Sequence, residues 1–504
     1  MFFINRALRD VTLLSVANTS KVELCPGVRV FKRRVSSETR NNNSKQTSVV
    51  DFYAGKSVFI TGGTGFLGKA FIEKILYSCT NIDNIYVLIR ETEQHNATQK
   101  LRRIFDSPIF SRLKMEKPKA LQKVISIVGD VKSLNLGITK KNQDILIEKV
   151  SVVIHSAASI SFDNSLKEAL ETNYEGTKNV LSLCKRIKNI QAFVHISTAY
   201  TNTDKSIIDE VVYPAPANIS DVYKRLKKHG DDENQSIKIL NGRPNTYTFT
   251  KALTENLIAE THHNVPAVII RPSMVGPSKD EPLKGWLDNL SVPSNLLLAG
   301  ATGLNHIIRG KKSNVVDFVP VDYVVNLTLV AATKCKRSRN LTVYNCCTSF
   351  TNPIYLDEVF KFFNEARIRF PDNSYCFYFR KVFIAKTQLA SDILTFFTQV
   401  VPAYVIDLSL FLKGSKPRFV ELQKKFIPMR DKVAYFTLNS WLFKTRKSQE
   451  LYSQISEQDQ HIFPFNFTDI KWPEYMHLYA KSVHHFLIQK KKQSQENTAK
   501  RIEK

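Results

Sequence analysis

From Tyr53 onward, short continuous apolar runs alternate with longer stretches whose apolar positions recur at helical spacing. Lys56-Ser57-Val58-Phe59-Ile60 reads as a buried strand, and Ala70-Phe71-Ile72-Glu73-Lys74-Ile75-Leu76 as the helix that follows it. Ile85–Ile89, Val124–Val128, residues 152–155, Ala192–Ile196 and residues 267–270 read as five further strands. Strands that are apolar at consecutive positions are expected where helices cover both faces of a parallel sheet. The alternation therefore predicts an α/β fold on a Rossmann-type, doubly wound parallel sheet. These strands end in polar residues: Arg90, Gly129-Asp130, Ser156-Ala157-Ala158, Ser197-Thr198 and Arg271-Pro272-Ser273. In such sheets ligands gather at the carboxyl ends of the strands.

Beyond about Asn352 the pattern changes. Residues 356–366 and 382–412 are dense in aromatic and aliphatic side chains over helical lengths, which predicts a smaller, mainly helical C-terminal domain. Residues 393–412 are apolar apart from Thr395, Thr398, Gln399, Asp407 and Ser409. Their length would just span a bilayer, but Pro402 and Asp407 favour a buried or interfacial hairpin. The first fifty residues differ again, with Arg6, Arg9, Arg29, Lys32, Arg33, Arg34 and Arg40 among few acids. They lack a long amphipathic helix and a signal-peptide core, so a disordered basic extension is preferred to an organellar transit segment. The expected organisation is an extension over 1–50, a reductase domain over 51–350, a helical domain over 351–489 and a basic tail over 490–504.

Composition sharpens this picture. A chain of 504 residues with 43% hydrophobic content is long enough for two globular domains. A formal charge of +26 points to polyanionic partners. Without zinc-finger spacing or an RNP-type aromatic strand, phosphorylated cofactors and an anionic membrane fit that charge better than nucleic acid. Seven scattered cysteines without a CxxC pair suggest reduced thiols in a cytosol-facing protein. His155 and His195 fall inside strands and are expected as packed core residues, so no metal site is expected.

The chemistry resides in two strings. Thr61-Gly62-Gly63-Thr64-Gly65-Phe66-Leu67-Gly68 joins the first strand to its helix. Glycines there let the backbone approach a pyrophosphate at the positive end of the helix. Thr61, Gly62, Thr64, Gly65, Phe66, Leu67, Gly68 and Ala157 are assigned to the cofactor. Tyr247-Thr248-Phe249-Thr250-Lys251 places a phenol and an ammonium one helical turn apart on one face. Such a phenol protonates a developing alkoxide when a cation lowers its pKa, and Lys251 would also hold the nicotinamide ribose. A dinucleotide loop followed by this pair predicts hydride transfer. Arg90 at the end of the second strand suits a 2′-phosphate, favouring NADPH over NADH. Asp130 either caps the adenine edge or serves as a turn residue. Thr198 is preferred to Ser197 as the hydroxyl that orients the carbonyl, and Asn173 would fix the active-site backbone or a relay water.

These strings, with YVLIR, VIHSAASISFD, TNYEGT, FVHISTAYTN and VIIRPSMVGPS, resemble the alcohol-forming fatty acyl-CoA reductases. Those are extended short-chain dehydrogenases with an appended male-sterility domain, which residues 356–444 resemble. The resemblance implies reduction of a long-chain acyl-CoA to a primary alcohol with two NADPH, through an aldehyde, releasing CoA. It implies Thr198, Tyr247 and Lys251 as catalytic residues, and a cytosol-facing membrane of the endoplasmic reticulum or peroxisome as the location. No terminal anchor helix is evident. Another NADP-dependent extended reductase, acting on a steroid or other small carbonyl, would share every cofactor residue. An idle NADP-binding scaffold is disfavoured by the intact Tyr247 and Lys251. Chain-length preference and oligomeric state are not legible.

Overall fold

The structure, a computed structural model, describes residues 48–93, 95–162, 164–288, 305–367 and 382–485. Most of the expected extension and the tail over 490–504 lie outside these residues, as do Arg380 and Lys381, two of the basic residues that flank the apolar run over 393–412 in the sequence. Seven strands form the central sheet: β1 Ser57–Thr61, β2 Ile85–Ile89, β3 Val124–Val128, β4 Val150–His155, β5 Ala192–Ile196, β6 Ala267–Pro272 and β7 Thr342–Cys346. Their order is β7-β6-β5-β4-β1-β2-β3, and every neighbouring pair is parallel. The chain reverses direction across the sheet between β1 and β4, so a crevice opens beyond their carboxyl ends.

Successive residues of each strand serve opposite faces. Val58, Ile60, Val152, Ile154, Val194 and Ile196 join one buried cluster, with Phe71 and Ile75 of α1 (Phe66–Ser78). Phe59, Val153, Phe193 and Ile269 join the other, with Val180 and Leu181 of α2 (Gly176–Cys184). This two-sided burial is why the strands lack a polar face in the sequence. The edge strand β3 is the exception, leaving Ile125 and Val128 exposed. Helix α3 (Thr246–Thr261) follows β5 and precedes β6, and α4 (Val321–Thr333) packs on the first face.

The expected six strands are all present, and β7 is an addition. Thr342-Val343-Tyr344-Asn345-Cys346 carries Thr and Asn, so it lacks the continuous apolar run that marked the others. The C-terminal part contains α5 (Leu356–Arg367), the run Gln388–Leu412, α6 (Phe419–Leu438) and α7 (Trp472–Ser482). Residues 383–385, expected as helix, instead form a short strand, Phe383–Ala385, pairing with Ile307–Arg309. Phe360 and Phe363 of α5 and Tyr475, Met476 and Tyr479 of α7 belong to the same buried cluster as the sheet's first face. The described chain is one compact unit from Thr47 onward. Helix Val49–Tyr53 draws the last residues of the expected extension into it: the Val49 N–H donates to Asp459, and the Tyr53 hydroxyl to Leu329 O at 3.0 Å.

Candidate active site

Gly62 leaves β1 with φ at +73°, a left-handed conformation that a side chain would strain. A Cβ there would also sit 2.7 Å from the Ala157 nitrogen. The ends of β1 and β4 are therefore pressed together in a way only glycine permits. Gly68, in the first turn of α1, has the same constraint, because its Cβ would lie 2.2 Å from the Gly62 oxygen. Helix α1 starts with no side-chain cap on Gly65, leaving first-turn N–H donors towards the crevice.

The crevice is a cleft of about 700 Å³, within the range of ligand sites. Gly62, Thr64, Gly65, Phe66, Leu67, Arg90, Asp130, Ala157, Thr198, Tyr247 and Lys251 all line it. Two expected residues lie behind the wall. Gly68 acts through packing, and the Thr61 hydroxyl lies 2.7 Å from His155 Nδ1 while accepting from the Ala157 N–H at 3.3 Å. Both shape the loop rather than face a ligand.

At one end, the Arg90 side chain is 70% exposed, with a guanidinium nitrogen 3.7 Å from the Asp130 carboxylate. Asp130 also accepts the Lys132 N–H at 3.0 Å, closing a turn. Lys132, an exposed cation that the sequence reading passed over, stands on the same rim.

At the centre, α3 is capped by Asn245, whose side chain accepts from the Thr248 N–H, and this fixes where Tyr247 and Lys251 emerge. Tyr247 is hydrogen-bonded to Thr198, and burial pushes its hydroxyl up to about 12, against the lowering effect of that bond; the low phenol pKa expected from Lys251 is not found, because desolvation outweighs it. Lys251 Nζ donates to the carbonyl of Ile196 at 2.7 Å, and burial brings its ammonium down to about 7, with Glu255 opposing. Ser197 turns its hydroxyl away from the cleft centre onto Glu255 Oε1 at 2.5 Å. Glu255 in turn is clasped by Arg271 at 2.6 and 2.9 Å. Thr198 is thus the hydroxyl beside Tyr247.

Asn173 serves the backbone. Its Oδ1 accepts from Ser159 N–H at 2.8 Å, and its Nδ2 donates to Ser159 O and Thr250 Oγ1 at 3.2 and 3.0 Å. Its carbonyl accepts from the hydroxyls of Thr177 and Thr254. His155 is held down to about 3 by burial, and His195 is also lowered by burial, as neutral core residues. Among the described residues no group of acids, cysteines and histidines could hold a metal ion.

The far end is walled by the C-terminal part. Val433 and Phe436 of α6 line the cleft beside Phe162 and Tyr200. Phe436 stacks on Phe162 at 6.0 Å and meets Tyr200 edge-on at 5.2 Å. Tyr200 could have been suspected from its place just after Thr198, but nothing local marks Val433 or Phe436. The arrangement can hold a dinucleotide at the glycine loop, a carbonyl at Thr198 and Tyr247, and an apolar chain along the aromatic wall.

Two family models, each described as male sterility protein, match residues 60–328 and 398–490. Fatty acyl-CoA reductase 1 of Xenopus laevis is 35% identical over 449 residues, covering 88% of this chain and 86% of that protein. The human protein of the same name is 32% identical over the same length and shares. Fatty acyl-CoA reductase 2 of Bos taurus is 32% identical over 456 residues, covering 87% of this chain and 86% of its own. The terminal R domain of the myxalamid PKS-NRPS pathway aligns with a TM-score of 0.57 at 16% identity, covering 86% of this chain and 92% of its own. That likeness bears on the fold alone.

Proposed function

Since the chain belongs to the fatty acyl-CoA reductase family, with its paired male-sterility regions, we propose that it reduces a long-chain acyl-CoA to the primary alcohol, with NADPH as reductant and CoA released. The observation that carries this reading is one cleft in which Thr198, Tyr247 and Lys251 lie between a glycine cradle and an aromatic wall. The cradle fits a nicotinamide dinucleotide, because a Cβ at Gly62 would collide with Ala157 where the backbone must approach a pyrophosphate. When bound, that cofactor supplies hydride to the thioester carbonyl and, in a second round, to the aldehyde.

The chain's own residues do the rest. Thr198 and the Tyr247 hydroxyl together donate to the carbonyl oxygen as negative charge develops, stabilising the oxyanion until the thiolate departs. At the aldehyde stage Tyr247 gives its proton to the alkoxide. A buried phenol pushed up to about 12 holds that proton firmly at neutral pH, so it is present when needed. Lys251, anchored on Ile196 O, is aligned one turn from Tyr247 to hold the cofactor ribose and, in its protonated form, to favour the phenolate left behind. Val433, Phe436 and Phe162 give the acyl end an apolar lining. Arg90 and Lys132 on the open rim suit a 2′-phosphate, which is the basis for NADPH over NADH.

We place the protein at a cytosol-facing membrane, of the endoplasmic reticulum or the peroxisome. The test is to incubate purified protein with palmitoyl- or stearoyl-CoA and NADPH and to identify the lipid product. Fatty alcohol, with two NADPH consumed per CoA released, is expected. NADPH consumed on a steroid or small carbonyl but not on acyl-CoA would overturn the assignment.

A further inference from the structure

The helical run Gln388–Leu412 is 25 residues long and apolar enough to cross a membrane, yet only 22% of its apolar window is buried in the protein. Its polarity is reversed. The buried positions are Ser391, Thr395, Gln399, Ala403 and Asp407, polar or small and four residues apart. On the outer side, Leu389, Phe397, Val405, Leu408, Phe411 and Leu412 are 60–76% exposed. A helix packed on a water-soluble body shows the opposite order, and a continuous exposed apolar stripe marks an interaction surface.

The polar side is fixed to the protein. Thr395 Oγ1 accepts from Arg430 Nη1 at 2.6 Å, and Thr398 Oγ1 meets His306 Nε2 at 2.9 Å. The Asp407 carboxylate accepts the N–H groups of Arg418, Phe419 and Val420 at 2.9, 2.9 and 2.8 Å, capping α6. Crossing a bilayer would strip all of these from their partners, so the helix is built to lie along a surface rather than through it.

Charge identifies the surface. Lys386 precedes the run, and Lys413, Lys416, Arg418 and Lys424 follow it, all exposed. The nearby acids Asp392 and Glu421 are bonded to Gln388 and Lys425. Cations at both ends of an apolar stripe match an anionic lipid surface, whereas two copies of a chain carrying +26 would set like charges against each other.

We propose that this stripe docks the protein flat on an anionic bilayer and thereby seats the wall of its own active site there. Arg430, which grips Thr395, lies on α6 one turn before Val433 and two before Phe436, so the lipid-facing helix and the cleft are joined through a single helix. The benefit of that seating, access to long acyl chains dissolved in lipid, rests on the function proposed above; the surface itself does not.

The test is flotation of the full chain with phosphatidylcholine vesicles that contain or lack phosphatidylserine. The chain should float with the anionic vesicles and be released by alkaline carbonate. Phe397→Glu with Leu408→Glu should weaken flotation by at least ~10-fold, because charge placed on the apolar face opposes insertion. NADPH-dependent turnover of a water-soluble short-chain acyl-CoA by that variant should equal the parent's, since neither residue lines the cleft. Lys413→Glu with Lys416→Glu should remove the dependence on phosphatidylserine. Failure of the parent to float, undiminished flotation of the first variant, or resistance to carbonate would each overturn the proposal. A lipid-free dimer that the first variant splits would assign the stripe to contact between copies and overturn it too. Normal flotation without turnover would refute the proposed activity while leaving the surface intact.

Discussion

Tyr247 and Lys251 are shifted in opposite directions by one cause, the loss of water around a charge. Burial keeps the phenol protonated and discourages the ammonium. Tyr247→Phe should cut alcohol formation by roughly 100- to 10,000-fold, the usual cost of a missing general acid, with NADPH affinity by fluorescence titration nearly unchanged. Lys251 also leaves a mark on stability. With its pKa at about 7 in the folded state and near 10.4 unfolded, the unfolded chain binds more protons between those values. Stability from this group therefore rises with pH above about 7 and is absent below it. Thermal melts of the cofactor-free protein from pH 7 to about 8.5, below the usual thiol range, should show this rise, and Lys251→Met should flatten it. At the rim, Arg90→Asp should move preference from NADPH towards NADH, as ratios of kcat/KM would report, because a carboxylate repels a 2′-phosphate and accepts from a free 2′-hydroxyl.

Elements were legible in the sequence to the extent that their signal is local. Six strands show as apolar runs because both faces of the sheet are covered, and the glycine loop and Tyr247/Lys251 show because each works within one turn. Strand β7 carries Thr342 and Asn345, and it depends on pairing with β6 for its existence. Phe383–Ala385 likewise takes its extended form from distant Ile307–Arg309. The run over 393–412 was visible as apolar, but which of its faces is buried is a tertiary fact. There Ser391, Thr395, Gln399 and Asp407, which look like interruptions, are the attached side. Asp407 tests that reading at this scale. Asp407→Ala removes the carboxylate that caps the start of α6 and should cost about 0.5–2 kcal/mol of stability in denaturant melts.

At the scale of the whole molecule, the two male-sterility regions share a continuous buried cluster, and the cleft has walls from both. This is why Val433 and Phe436 could not be found from the reductase motifs: they arrive from the far end of the chain. The walls also make the cleft asymmetric. Arg90 is largely bare to solvent at one end, while Phe436 closes against Phe162 and Tyr200 at the other. Two rounds of reduction require one nucleotide to be exchanged while a reactive aldehyde waits. In the reaction proposed above, the open end suits exchange of the nucleotide and the aromatic end suits retention of the half-reduced chain. Semicarbazide added during turnover should therefore trap little aldehyde from the parent and more from Phe436→Ala, as product analysis would show. On that reading the cleft is its own containment vessel, sparing the cell's amines an electrophile that the reaction must nonetheless make.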